Sequence, residues 1–309
     1  MVEIFLRTLP FFAIIGLGYW AGRVRFMSEE ATAYLTKFVF YFALSAMIFR
    51  FAANLQLAEI FNGRLVLGYL SGTAFVYCIA MAVGLLRKQG LSTAAIEAQC
   101  AVIGNVGFLG LPMFVMLFGE AAIGPMMLIL ATDLIVFASL MVALAHGSRD
   151  GRLSLSILRT IAIGLLRNPM IVSIVLGLSW SGLALPIPEP MNDFLSILGG
   201  AATPGALFAI GASLASKSAE RVEVALWLSF CKLVLHPVCV AVAVLVLFPL
   251  DSYSTIIVVS AAAMPVAGNV YMLAQHYGLA PHRVSAAILF STAISILTLP
   301  VVMSWVSGG

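Results

Sequence analysis

The chain is a succession of long apolar segments separated by short polar linkers. Segments of about 17–25 apolar residues are long enough to cross a bilayer as helices, and ten of them follow one another along the 309 residues. Their approximate limits are 4–22, 31–50, 65–86, 93–118, 122–145, 168–184, 193–215, 224–247, 254–277 and 284–305. The linkers leave no room for a soluble domain. The pattern predicts an all-helical integral membrane protein with ten transmembrane helices.

The longest polar stretch, from His146 to Arg167, separates two groups of five spans. Its apolar positions are spaced like those of an amphipathic helix, which predicts a segment that lies along the membrane surface; they are Leu153, Ile157, Leu158 and Ile161. We therefore divide the chain into a first unit, 1–147, a cytoplasmic linker, 148–167, and a second unit, 168–309.

The basic residues fall almost entirely on one set of alternate linkers. The other set has only Arg64 and, at a helix end, Arg50. Because linkers rich in Lys and Arg stay in the cytoplasm, and because the span number is even, we expect both termini in the periplasm of a bacterial inner membrane. The eleven residues of the basic set are Arg23, Arg25, Arg87, Lys88, Arg149, Arg152, Arg159, Arg167, Lys217, Arg221 and Arg283.

Composition agrees with a membrane protein and excludes several other classes. Hydrophobic residues make up 62% of the chain and charged residues 9%, which leaves too little polar surface for a soluble globule. A net charge of +3 is no footprint of nucleic-acid binding. No cofactor or metal site is expected, and no HExxH or GxSxG pattern suggests an enzyme. The cysteines, interpreted as small buried residues, are Cys78, Cys100, Cys231 and Cys239.

The two groups of spans share a repeated tripeptide. Gly-Asn-Val occurs at Gly104–Val106 and at Gly268–Val270, an offset of 164 residues. The same offset carries the second, third and fifth predicted spans to within a few residues of the seventh, eighth and tenth. Since each half has an odd number of spans, the halves must have opposite orientations. An inverted repeat of this kind is typical of secondary transporters.

Both copies of the tripeptide lie in the middle of a span, the fourth and the ninth, beside residues that disfavour helix. Those residues are Gly104, Gly107, Gly110 and Pro112 in one span, and Pro265 and Gly268 in the other. Each span is predicted to break at mid-membrane, where irregular backbone is tolerated only when it is buried in protein or lines a polar cavity. Helix N-termini at the breaks favour an anion, with amide donors from Asn105 and Asn269 and a further contact from Tyr271. In the alternative interpretation, glycine and proline only kink the helices.

Four stretches resemble one known family. They are GNVGFLGLPM (Gly104–Met113), MPVAGNVYMLAQHYGLAPHRVSAAILFST (Met264–Thr292), Arg167-Asn168-Pro169 and TPGALFAIGASLA (Thr203–Ala215). Together they resemble the auxin efflux carrier family, which includes plant auxin exporters and bacterial malonate and malate carriers, and which is similar in fold to bile acid sodium symporters. The resemblance covers essentially the whole chain, and the short linker after the fifth span fits a bacterial member.

The resemblance implies a fold of ten helices in which helices 4 and 9 are broken and cross. Helices 1, 2, 6 and 7 would form a scaffold, and helices 3–5 and 8–10 a transport domain that moves against it. It also implies a homodimer joined through the scaffold helices. Aromatic residues on those helices, Phe38, Phe40, Tyr41 and Phe208, are candidates for an apolar wall of the substrate site, or they face lipid or the core.

Charged residues inside membrane helices cost about 2.5–3.5 kcal/mol or more, so they tend to be paired or functional. The candidates are Lys37, Lys232, Asp133 and Glu97. In the family a lysine of the eighth span joins an acidic partner beside the crossing, and Lys232 matches that lysine. Asp133 or Glu97 is its expected partner, in a static ion pair or in H⁺ or Na⁺ coupling. Two histidines, His236 and His276, are weaker candidates for proton transfer.

The inverted repeat favours a transporter over a channel, which would need a polar filter usually built from several chains. The predicted substrate is a small organic anion, a carboxylate of the auxin or malonate and malate type. Two alternatives stay open: a sensor built on a transporter fold, and a Na⁺-coupled symporter of the bile acid type.

Overall fold

The structure, a computed structural model, describes residues 2–55, 62–150, 155–216 and 221–308. Every regular element within these ranges is a helix, so the all-helical prediction is confirmed. The helices are α1 Val2–Arg23, α2 Glu29–Asn54, α3 Gly63–Leu86, α4 Leu91–Val102, α5 Val106–Phe118, α6 Glu120–Ala145, α7 Leu155–Arg167, α8 Pro169–Gly182, α9 Glu189–Ala215, α10 Val222–Leu247, α11 Ser252–Ala262, α12 Gly268–Tyr277 and α13 Pro281–Val306.

Seven of the described helices are long and apolar enough to cross a membrane, namely α1, α2, α3, α6, α9, α10 and α13. An eighth span is possible if α7 and α8, which meet at 71°, count as one bent pair. Helices α5 and α11 are apolar but shorter. The chain is therefore a multi-pass membrane protein, whereas a count of ten requires α4–α5 and α11–α12 to act as interrupted spans.

The sharp turn between α7 and α8 has a local cause in the sequence. The side chain of Asn168 accepts a hydrogen bond from the backbone N–H of Met170 at 3.0 Å, and Pro169 occupies the first helical position. Both features are typical of a helix start. They stop α7 at Arg167 and begin α8 in a new direction. In the predicted amphipathic run, Leu153 lies outside the described residues.

Glycine-mediated contacts join the helices predicted to form the scaffold. A side chain at Gly18 of α1 would collide with the backbone of Phe208 on α9, and one at Gly211 of α9 would collide with the backbone of Ile15. On α8, a Cβ at Gly177 would lie 2.8 Å from the carbonyl oxygen of Phe49 on α2. Small residues let membrane helices approach closely, so α1 packs on α9 and α2 packs on α8.

A second set of close contacts centres on α3. A Cβ at Gly72 would lie 2.7 Å from Val240 on α10, and one at Gly84 would lie 2.8 Å from Ala94 on α4. Helix α13 packs in turn against α10 and α11. These helices surround the two interrupted ones, α4–α5 and α11–α12.

Candidate functional site

The two interrupted helices meet at their breaks. Helix α4 ends at Val102 and α11 ends at Ala262, and each is followed by non-helical residues. The stretches pair in an antiparallel bridge between Gly104 and Val266. Such pairing satisfies backbone groups that a break inside a membrane protein would otherwise leave without partners.

Two backbone hydrogen bonds flank this bridge. The N–H of Asn105 donates to the carbonyl oxygen of Pro265 at 2.8 Å, and the N–H of Ala267 donates to that of Ile103 at 3.0 Å. The breaks of the two interrupted helices therefore meet in the structure through a short backbone bridge, and this meeting point is called the crossing below.

The helices that precede the two breaks, α4 and α11, have similar lengths. Helix α4 has 12 residues and is about 18 Å long. Helix α11 has 11 residues and is about 16 Å long. Each length is about half of the roughly 30 Å hydrocarbon core of a bilayer, so neither half-helix is long enough to span a membrane alone.

Two helices begin at the crossing, and neither start has a side-chain cap. Asn105 precedes α5 and Ala267 precedes α12, in both cases without a capping hydrogen bond. The first backbone N–H groups of a helix lack intrahelical partners and carry a partial positive charge. The crossing thus presents two sets of such groups, a combination that suits a bound anion.

The two asparagines of the repeated tripeptide differ in exposure. Asn105 is 6% exposed, and its side chain forms no hydrogen bond within the described residues. Asn269, in the first turn of α12, is half-buried, and its Oδ1 has no partner in the described part of the chain. A terminal amide can turn to present either its N–H donors or its oxygen. Within the described residues, neither the side chain of Asn105 nor Oδ1 of Asn269 is committed to a hydrogen-bond partner.

The other predicted site residues of the first break pack against neighbouring helices. Gly107 lies against the side chain of Met170 at the start of α8. Phe108 stacks on Phe40 of α2 with ring centroids 6.0 Å apart. Pro112 is buried inside α5 and is separated from the break by the wide π-helical turn Val106–Gly110. It therefore lies beyond the break and cannot be the cause of it.

The predicted site residues of the second break have more space. Gly268 is exposed, and a Cβ there would meet no atom within 4 Å. Pro265 is buried in the break itself and supplies the carbonyl that Asn105 contacts. Tyr271 is half-buried, and its hydroxyl accepts a hydrogen bond from Nε2 of Gln275 at 3.0 Å.

Lys232 of α10 lies at the crossing and is fully buried. Its Nζ donates a hydrogen bond to the carbonyl oxygen of Ala262, the last residue of α11. The same atom would lie 3.3 Å from a Cβ at Gly104. A cation is favourable at a helix C-terminus because unpaired carbonyls carry a partial negative charge. Lys232 therefore stabilises the end of α11 and brings positive charge to the crossing.

His236 continues this polar network one turn further along α10. Its Nδ1 lies 3.0 Å from the Nζ of Lys232 and 3.1 Å from the carbonyl oxygen of Ala262. Its Nε2 lies 3.0 Å from the hydroxyl of Thr73 on α3. The imidazole is fully buried, so its tautomer is set by which of these contacts it donates to.

Asp133 of α6 is buried and is joined to this network through Tyr69, whose ring centroid lies 5.9 Å from that of His236. One carboxylate oxygen accepts a hydrogen bond from the hydroxyl of Tyr69 at 2.8 Å, while Oδ2 has no partner among the described residues. Within those residues Asp133 and Lys232 are not in direct ion-pair contact. Both lie in π-helical turns, Asp133–Phe137 and Cys231–Leu235, which are frequent at functional sites.

Glu97 has different partners from those expected. Its two carboxylate oxygens pair with Arg87 and with Arg283, the latter at 2.6 Å. Glu97 is fully buried at the end of the molecule where α3 ends and α13 begins. The interpretation of Glu97 as a partner of Lys232 is therefore wrong, because two arginines already satisfy the carboxylate. His276 is exposed and packs edge-on against Tyr277, so it lies outside the network.

Several residues of the site carry no sequence signal that would single them out. Tyr69, Thr73 and Ser291 are ordinary membrane-helix residues, yet the hydroxyl of Ser291 accepts a hydrogen bond from the N–H of Val266 at 3.1 Å. His236 is different, since it lies four residues after Lys232 on one helix and that spacing places both on the same face. The spacing would have justified grouping them from the sequence.

Comparisons with known proteins identify the family of the chain. The family model for "Membrane transport protein" matches residues 3–303. The chain is 32% identical over 305 residues to a "Putative malonate transporter" of Rhizobium meliloti (strain 1021), covering 96% of this chain and 94% of that protein. It is 24% identical over 304 residues to the "Uncharacterized transporter YfdV" of Escherichia coli (strain K12), covering 94% of each chain. With its two interrupted helices joined at their breaks, the chain belongs to this membrane transport protein family, the auxin efflux carrier family that its motifs resemble.

Proposed function

We propose that this protein is a secondary transporter that carries a small carboxylate anion, of the malonate or malate class, by elevator-type alternating access. The observation that carries the proposal is the crossing, where two uncapped helix starts and two asparagines surround one backbone bridge. The similarity to a protein named for malonate transport supports the substrate class.

The proposed span arrangement is an inverted repeat of two five-helix halves. The seven long helices, the bent pair α7–α8 and the two interrupted helices α4–α5 and α11–α12 would together make ten spans. One interrupted helix falls in each half, and the two meet. Five spans per half give the halves opposite orientations, which is the symmetry that alternating access uses.

Neutral donors suit a substrate that must be released. A hydrogen bond between an amide or backbone N–H and a carboxylate contributes about 1.5–3 kcal/mol, enough to select an anion without holding it permanently. In this proposal the amides of Asn105 and Asn269 and the starts of α5 and α12 bind the carboxylate. Tyr271 lies on the same helix as Asn269 and contacts the rest of the substrate.

The proposed moving interface lies between α5 and the helices α2 and α8. The side chains that meet there are Gly107 against Met170 and Phe108 against Phe40. Aromatic and methionine side chains contact each other without directional polar bonds, so this interface can change register at low cost. Helices α1, α2, α8 and α9 would stay fixed as the scaffold.

For Lys232 we propose a coupling role in addition to its structural one. Its ammonium holds the end of α11 through Ala262, and Asp133 is joined to the same network through Tyr69. A proton or Na⁺ that reached Asp133 would alter this network and with it the crossing. Transport by Asp133→Asn should then lose its dependence on pH or Na⁺, and an unchanged dependence would leave Lys232 with the structural role only.

The test of the whole proposal is flux of labelled malonate into liposomes that contain the purified protein. Wild type should transport, and Asn105→Ala and Asn269→Ala should each reduce the rate roughly tenfold or more, since each loses a hydrogen bond to a charged group. Asn54→Ala is the control, because Asn54 is exposed and its one hydrogen bond within the described residues goes to the carbonyl of Arg50. Wild-type rates in both test variants would refute the site, and carboxylate binding without flux would favour the sensor.

The proposal also includes a homodimer through the scaffold helices and both termini in the periplasm of the bacterial inner membrane. Mass measurement in mild detergent checks the dimer, and a monomer at every concentration contradicts it. Alkaline phosphatase fused at the C-terminus should be active if that end is periplasmic. An inactive fusion would mean that the proposed topology is reversed. Two of the basic residues behind that topology, Arg152 and Lys217, lie outside the described residues.

A further inference from the structure

A second polar site lies far from the crossing, at the end of the molecule where α3 ends and α10 and α13 begin. It is a cavity of about 390 Å³. Its lining residues are Val83, Arg87, Gln89, Arg221, Glu223, Val224, Trp227 and Arg283. Three guanidinium groups therefore face one cavity in a chain where charged residues are scarce.

The charges of this cavity do not cancel. Arg87, Arg221 and Arg283 line it against Glu223 alone. Behind the lining, Glu97 neutralises one further positive charge through its ion pairs with Arg87 and Arg283. Even with Glu97 counted, a net positive charge remains. Within the described residues Arg221 has no ion-pair partner.

Two donors on the cavity wall lack partners. The Nε of Arg87 and the indole Nε1 of Trp227 are buried and form no hydrogen bond with the described residues. Buried N–H groups without a partner cost about 1–3 kcal/mol each. A ligand that accepts hydrogen bonds would remove that cost at both positions.

The arrangement is suited to a phosphate group. Arginine presents N–H donors in a planar fork that matches phosphate oxygens, and these charge-assisted bonds are roughly twice as strong as neutral ones. Gln89 accepts a hydrogen bond from Arg283 at 2.9 Å and so holds that guanidinium in place. The cavity thus has two arginines held in place, Arg87 and Arg283, beside the exposed Arg221.

The surface beside the cavity points to a lipid as the carrier of that phosphate. Along α10, Val222, Leu226 and Phe230 are 43%, 45% and 50% exposed. Their spacing of four residues forms one apolar stripe that leads from the cavity along the helix. An acyl chain can lie on this stripe while the headgroup occupies the cavity, and basic pockets between membrane helices on the cytoplasmic side bind anionic headgroups.

We propose that the cavity between α3, α10 and α13 binds a phosphate group, presented by an anionic phospholipid of the leaflet on that side. Arg221 and Arg283 contact the phosphate oxygens, and the N–H groups of Arg87 and Trp227 complete the site. The bound headgroup joins the ends of three helices. This site is separate from the proposed substrate site and does not depend on the proposed function.

Native mass spectrometry of the detergent-purified protein tests the proposal. Dioleoylphosphatidylglycerol should bind, and dioleoylphosphatidylcholine should bind more weakly because it has no net negative charge. Arg221→Gln should weaken phosphatidylglycerol binding roughly tenfold, and Trp227→Phe should weaken it about threefold, since each removes a donor. The phosphatidylglycerol affinity of Arg221→Lys should lie between those of the wild type and Arg221→Gln, because lysine keeps the positive charge but lacks the planar guanidinium donors.

Arg23→Gln is the matched control, because Arg23 is exposed at the end of α1 and belongs to the same predicted cytoplasmic set. Wild-type lipid binding in Arg221→Gln and Trp227→Phe would overturn the proposal, as would an equal loss in Arg23→Gln, which would indicate general surface attraction. Binding of inorganic phosphate is measured as well, to distinguish a lipid phosphate from a free one. If phosphate binds and phosphatidylglycerol does not, the phosphate site stands and its ligand is soluble. If neither binds, the proposal fails.

Discussion

The two breaks contain the same tripeptide but lie in different surroundings. At the first, Gly104 has Lys232 and Met264 within 3.3 Å of a Cβ position, and Asn105 is 6% exposed. At the second, a Cβ at Gly268 would meet no atom within 4 Å, and Asn269 is half-buried. The two copies of the tripeptide therefore differ in backbone, since Asn105 precedes α5 whereas Asn269 lies in the first turn of α12, and they differ in packing as well. Under the proposed alternating access by an inverted repeat, the two halves must have unlike conformations in any one state.

The contacts that stabilise the two breaks also differ. The first is held mainly by packing, with α5 against α2 and α8. The second is held by polar contacts, since Lys232 binds the carbonyl of Ala262 and Ser291 accepts from Val266. Helix α11 begins with a cap from Asp251, whereas α4 begins at Gly90 without a side-chain cap. Polar substitutions around the second break should therefore have the clearer effects.

The largest effect is expected from Lys232→Met. Removing the ammonium takes away a fully buried charged donor that contacts both the carbonyl of Ala262 and Nδ1 of His236, which should lower the free energy of unfolding by about 3–5 kcal/mol in total. Denaturant unfolding in detergent measures it. Lys37→Met is the control, because Lys37 is exposed over the ring of Tyr34, and it should lose about 1 kcal/mol or less. Equal stability of the two variants would show that Lys232 does not hold the second break.

A smaller effect is expected from Ser291→Ala, which leaves the buried N–H of Val266 without its acceptor. The expected loss of unfolding free energy is about 1–3 kcal/mol. Ser295→Ala is a matched control, because Ser295 is equally buried on α13 and donates to the carbonyl three residues earlier, as Ser291 does. It has no such contact with the second break. Similar losses in both variants would mean that the Val266 contact contributes little.

The glycines of the two tripeptides should respond oppositely to alanine. Gly104→Ala requires Lys232 and Met264 to move by a few tenths of an ångström, and we expect a loss of about 1 kcal/mol. Gly268→Ala has open space at the start of α12 and should be neutral or stabilising by about 0.5–1 kcal/mol. Parallel unfolding curves measure both. If Gly268→Ala proved the more damaging, the assignment of the tighter break would be reversed.

The smallest effect concerns the cap of α11. Hydrogen bonds from Ser254 hold the pKa of Asp251 below its ordinary value. A carboxyl group with a lowered folded pKa stabilises the protein above the unfolded value of about 3.9, and this contribution disappears as the pH falls through the folded value. Asp251→Asn keeps a cap but cannot titrate, so its stability below about pH 4 should fall less than that of the wild type. Identical acid profiles would show that the cap carries no charge effect.

Much of the fold follows from local patterns. Long apolar segments identify most helices, and the start of α8 follows from Asn168 and Pro169. The repeated Gly-Asn-Val predicts the two breaks. Pro112 is the exception, because it lies inside a continuous helix beyond a π-helical turn. Proline disturbs a helix only as far back as the residue four positions before it, and the break at Gly104 lies further from Pro112 than that.

The partners of the charged side chains could not be predicted from local sequence patterns. A buried carboxylate needs cations, but the sequence contains many arginines and does not state which will lie beside it. Glu97 meets Arg87 and Arg283 because the end of α3 and the starts of α4 and α13 lie together. Lys232 instead meets the end of α11. These pairings depend on how the helices are arranged in space, which involves contacts between residues far apart in the chain.

The amino-acid sequence by itself determined that this chain is a helical membrane protein with two broken spans, because hydropathy and backbone flexibility are properties of adjacent residues. Only the tertiary structure decided that the breaks pair through Gly104 and Val266 and that Lys232 lies between them. Only it assembled the arginine cavity from residues as distant as Arg87 and Arg283. Such sites exist only after the helices pack, since each helix contributes a single group and no local pattern records which helices will be neighbours.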